Sequence, residues 1–122
     1  MLALLAGVLK AFNDVALFLQ DQMGGFIVVA SLALKCVSIL DAFGHSTEHF
    51  VPHTRAAWDT ELCETVKLGL ERACRDGDPG ILSLARHLRV TYVILVDGMG
   101  NSDDAQKVID EIPTAACLYE GQ

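Results

Sequence analysis

The chain is 122 residues long, 52% of them hydrophobic, with a formal net charge of −7. Such a length suits one domain with a core of ordinary size, and the acidic balance excludes a nucleic-acid surface, which needs Lys and Arg clustered against phosphate. An anionic membrane repels the average surface too, leaving only a local basic spot as a point of contact. The four cysteines, Cys36, Cys63, Cys74 and Cys117, lie far apart with no C-x-x-C pair. They read as reduced, mostly buried small hydrophobes in a cytosol-like compartment, not as a zinc or disulfide framework.

From the N-terminus, Leu2 to about Gln20 places Leu5, Val8, Leu9, Phe12, Ala16 and Leu19 at helical spacing. The opening MLALLAGVL has the apolarity of a signal sequence, but it lacks a basic n-region and Lys10, Asn13 and Asp14 soon interrupt it. It reads as a packing helix. Gly24 and Gly25 break the pattern, and Phe26 to about Phe43 follows, apolar nearly all round as a central helix is. Gly24 to Phe43 has the length of a membrane span, yet Lys35 in its middle is expensive at bilayer depth, so a core helix is preferred.

Gly44 to His53 is a loop by composition, and a third helix is expected from about Arg55 to Arg75, with Leu62, Val66, Leu70 and Cys74 recurring every four residues. Asp76-Gly77-Asp78-Pro79-Gly80 stops it. Asp78 is a good N-cap and Pro79 suits the first position of a fourth helix, running to about Asp97 and ending at Gly98-Met99-Gly100. Within it, Val90 to Val96 (VTYVILV) is β-branched enough for a buried strand, but no second strand of comparable quality exists to pair with it. Ser102 with Asp103 and Asp104 opens a short fifth helix that Pro113 ends or kinks. The expectation is an all-α fold, about five helices in a two-layer sandwich or bundle, as a single helical domain over residues 1–122.

Few residues suggest chemistry. His45, His49 and His53 recur every fourth residue, a zinc-compatible spacing on a continuous helix. Gly44 and Pro52 argue against that helix, so no metal site is expected. No G-x-S-x-G, P-loop or Cys/His nucleophile pair occurs, Asp97-Gly98-Met99-Gly100 is not a dinucleotide fingerprint, and the carboxylates look like capping and solubility residues. The reading is therefore no enzyme, no catalytic residues and no cofactor. Lys35 is the most telling position, a cation in an apolar helix that must snorkel, pair with an acid or meet a ligand. Arg86 and Arg89, three apart, share a face of the fourth helix.

The stretch Leu84-Ala85-Arg86-His87-Leu88-Arg89, followed by Val93-Ile94-Leu95, resembles the L-x-R-x-L segment of the glycolipid transfer protein family. The similarity continues through Ser102-Asp103-Asp104-Ala105 to Ala115-Ala116-Cys117-Leu118-Tyr119-Glu120-Gly121, which looks like the family's alanine-rich run into Tyr-His-Gly-Trp, and upstream through Gly7-Val8-Leu9 and the spacing to Lys35. The resemblance implies helices that sandwich a lipid chain and carry sphingolipids between membranes without metabolising them. Lys35 fits the lysine of the family's headgroup motif, while Val28 and Leu32 fall where an Asp and an Asn are expected. Ser83 falls at the stacking Trp and Glu120 at the His. The phosphate-binding arginines of the ceramide-phosphate branch fall at Pro79 and Ser83, and the chain stops at Gln122, before the family's C-terminal helices.

Two functions follow as expectations. The preferred one is a lipid-binding or lipid-transfer module holding a sphingolipid-like apolar chain, with Lys35, Arg86, Arg89, Val28, Leu32 and Tyr92 lining the lipid site. The other is a structural or interaction subunit on the same scaffold, because a shortened sandwich exposes apolar helix faces that need a protein partner. The expected location is cytoplasmic, with transient contact at a membrane periphery.

Overall fold

The computed structural model describes residues 2–22, 26–45, 57–98 and 102–120. They form α1 (Leu2–Gln22), α2 (Phe26–Ala42), α3 (Ala57–Arg75), α4 (Pro79–Gly98), α5 (Ser102–Asp110) and α6 (Ala115–Glu120), with no strand among the described residues. The architecture is all-α, with helices packed on one another. The largest interfaces are α1 on α4 and α2 on α3; α1 also meets α2 and α3, and both α5 and α6 pack against α2 and α4.

Helical spacing explains what is buried. Val8, Ala11, Phe12, Val15, Ala16 and Leu19 make one face of α1, and Leu62, Val66, Leu70, Ala73 and Cys74 make the inward face of α3. On α2, Val28, Val29, Leu32, Ala33, Cys36, Ile39 and Leu40 are buried, and α5, α6 and the turn between them add Ala105, Ile109, Ile112 and Leu118 to the same core. Each fully buried Leu or Phe contributes about 2 kcal/mol of transfer free energy, so this shared core, not intrinsic propensity, holds the six helices. Across its edge, Gln106 Nε2 donates to Ser31 Oγ at 2.6 Å and ties α5 to α2.

The helix ends meet at one joint. Helix α2 closes with Gly44 at φ +86° and α3 with Gly77 at φ +73°, the left-handed region that glycine enters without a Cβ penalty. In each, the glycine N–H and the next residue's N–H return to the last turn: Gly44 to Asp41 O and His45 to Leu40 O, Gly77 to Cys74 O and Asp78 to Ala73 O. The two residues that follow the glycines are then brought together. His45 Nε2 lies 2.7 Å from Asp78 Oδ2, both side chains buried, with Asp76 Oδ2 at 3.5 Å from His45 Nδ1. Asp78 Oδ1 accepts from Gly80 N–H at 2.8 Å, the N-cap bond that starts α4. One carboxylate therefore caps α4 and holds the end of α2.

The all-α expectation of about five helices holds, with residues 115–120 adding a short sixth one, in which Leu118 buries fully once α6 lies on α4. A six-residue segment is too short for periodicity to declare. Among the thiols, Cys36 and Cys74 are buried, Cys63 is half-buried and Cys117 is exposed; all four are free. The β-branched run 90–96 is helical, as preferred.

Candidate functional site

Helix α4 buries a narrow stripe and exposes a wide apolar one. Ile81, Leu84, Ala85, Leu88, Thr91 and Leu95 face the core, following a helical repeat. Val90 (56% exposed), Val93 (55%) and Val96 (49%) lie on the opposite face, with Ile94 at its border. The core takes one side of the helix, and a run apolar at nearly every position leaves the remainder in water. Leu82, Arg86 and Arg89, all exposed, continue this face toward the N-terminus of α4, and Asp97 closes its other end. Of the helices, Pro79–Gly98 has the length and hydropathy of a membrane span among the described residues, with 44% of its apolar window buried.

The residues expected to line a lipid site separate into three environments. Val28 and Leu32 are core residues of α2, closed to solvent. Lys35 is half-buried, one turn along α2 from Ser31 and so on the flank that faces α5. It forms no ion pair among the described residues. Its ammonium is felt at Cys36, whose thiol burial pushes up to about 12, the neighbouring Cys63 acting in the same direction and Lys35 opposing. Arg86 and Arg89 are exposed on α4. Tyr92 flanks the apolar face and stacks edge-on against Phe18 of α1, ring centres 6.2 Å apart at 83°. Arg86, Arg89 and Tyr92 thus border one surface, while Val28 and Leu32 belong to the interior.

A concavity lies between α1, α2 and α3, a half-open cleft of about 170 Å³. Its floor is Ala16, Val29 and Cys63, and Asn13, Gln20, Glu64 and Lys67 rim it. Pockets for drug-sized ligands run to several hundred Å³, and none of the six expected residues lines this cleft. Of the histidine series, His45 turns inward to Asp78, while His49 and His53 lie outside the described residues; among the described ones no metal-ligating cluster occurs.

An exposed apolar helix face was expected, but not that α4 would carry it. Its signal was present in the run VTYVILV: a helix buried along one stripe cannot hide apolar residues at nearly every consecutive position. Comparison with family models, with characterised proteins and with solved structures gives no match, so the similarity to the glycolipid transfer protein family rests on the sequence motifs alone.

Proposed function

We propose that this chain is a non-catalytic helical interaction module, a subunit that packs the outward face of α4 against an apolar helix of a partner whose border carries complementary charge. The observation that carries this reading is the exposure of Val90, Val93 and Val96 on a helix whose other side is committed to the core. Exposed valines scattered singly are ordinary, but aligned on one face and ended by charges they form the apolar centre and polar rim of an interface.

The lipid-handling function is the second reading. It is favoured by Arg86, Arg89 and Tyr92 beside the same apolar face, since cationic and aromatic side chains at an apolar border suit a lipid headgroup region. Lys35 would contribute from the α5 side, with acyl chains entering between helices that part to admit them.

Site-specific photo-crosslinking separates the two. With a photoreactive side chain at position 93 in the full chain, expressed in cells, the expected adduct is a protein, absent when the reactive group is moved to position 103 on α5. A lipid adduct at position 93, or a co-purified two-chain lipid lost on Lys35→Ala, would replace the interaction reading with the lipid one.

A further inference from the structure

The outward face of α4 is self-complementary about Val93. Arg89 stands four residues before Val93 and Asp97 four after it; Val90 stands three before and Val96 three after. A two-fold axis through Val93, perpendicular to α4, maps each position onto the space facing its counterpart. In an antiparallel pair of α4 helices, Val93 therefore meets the partner's Val93, Val90 meets the partner's Val96, and Arg89 meets the partner's Asp97. The apolar seam is closed at both ends by an opposite-charge pair, and each pair occurs twice, as an isologous contact requires. Arg89 and Asp97 are both exposed, and neither forms an ion pair among the described residues.

We infer that the partner is a second copy of this chain, docked as an antiparallel α4–α4 pair on a two-fold axis through Val93, an assignment that rests on reading the outward face of α4 as a docking surface. The alternative pairing in parallel sets Arg89 against Arg89 and Asp97 against Asp97. Like charges face each other at both ends, which selects against that register. An exposed ion pair contributes little by itself, so the valines supply the attraction and the charges fix the direction. A seam of a few turns on one helix lies below the area of permanent dimers, so association depends on concentration.

Sedimentation equilibrium of the full chain tests this. The expected mass rises with concentration from 13.2 kDa toward twice that value. Arg89→Asp and Asp97→Arg each place like charges at both ends and weaken association by about tenfold or more, while the two together restore it by exchanging the members of each pair. Circular dichroism accompanies each variant, and the recovery in the double swap distinguishes a lost interface from a lost fold. A wild-type mass of 13.2 kDa at every concentration overturns the self-pairing. If position 93 still crosslinks to a different protein, the docking surface survives that result. A dimer that persists unchanged in Val93→Asp also overturns the α4 self-pairing, because the contact then lies elsewhere on the molecule.

Discussion

At Asp78 one residue serves three helices. Its Oδ1 caps α4 at Gly80 N–H and its Oδ2 holds His45 at the end of α2, while its own N–H closes α3. Removing the carboxylate costs the cap, about 1 kcal/mol, and leaves a buried imidazole nitrogen without its partner, about 1–3 kcal/mol more. Asp78→Ala is therefore expected to lower the unfolding free energy by about 2–4 kcal/mol in urea titrations. Asp78→Asn keeps an acceptor for Gly80 and a polar partner for His45, and loses less. Equal losses in the two variants would show that the geometry of the joint does not matter. Of this joint, the sequence displayed only the N-cap: Asp78 before Pro79 has a local signature. The His45 contact joins residues 33 positions apart, and nothing local announces it. Lys35 was conspicuous for the opposite reason, a charge amid apolar neighbours, yet its half-buried place on the α5 flank became definable only once α5 was positioned against α2.

Helix by helix, the apolar spacing foretold the structure closely. The four positions named for the third helix, Leu62, Val66, Leu70 and Cys74, are at most 1% exposed. Where spacing became uninformative, in VTYVILV, local β propensity competed with helix, and packing decided: Leu88, Thr91 and Leu95 give α4 its stripe on the core. The same helix therefore offers a controlled comparison. Leu88→Ala removes a fully buried side chain and leaves a cavity, with an expected loss of about 2–5 kcal/mol. Val93→Ala removes a side chain already in water and replaces a β-branched residue with a better helix former, so the stability changes by under about 1 kcal/mol. Urea midpoints of the two variants check this directly. With the chain dilute enough to be monomeric, a loss at Val93 comparable to that at Leu88 would mean that the outward face is covered within the monomer. Stability would then have been sacrificed to this face only in appearance, and neither a protein nor a lipid would be needed to cover it.

For the molecule as a whole, the core decides what unfolds together. Helices α5 and α6 are nine and six residues long, lengths at which an isolated helix has little stability in water. They persist because Ala105, Ile109, Ile112 and Leu118 join the cluster that α1 to α4 build, and because Gln106 is bonded to Ser31. If that shared core makes one cooperative unit, the amides of α5 and α2 exchange through the same global opening. Gln106→Ala loses a half-buried hydrogen bond, about 1 kcal/mol, and the expected response is an equal loss of protection in α2 and α5 measured by native-state hydrogen exchange. Loss confined to α5 and α6 would instead mark them as a separately opening unit. The difference bears on function, because α5 covers α2 on the side where Lys35 lies. A unit that opens on its own would expose the flank of Lys35 and the adjoining core, providing the entrance that the lipid reading needs. A single cooperative opening keeps that interior closed in the native protein, and leaves the outward face of α4 as the apolar surface open to a partner.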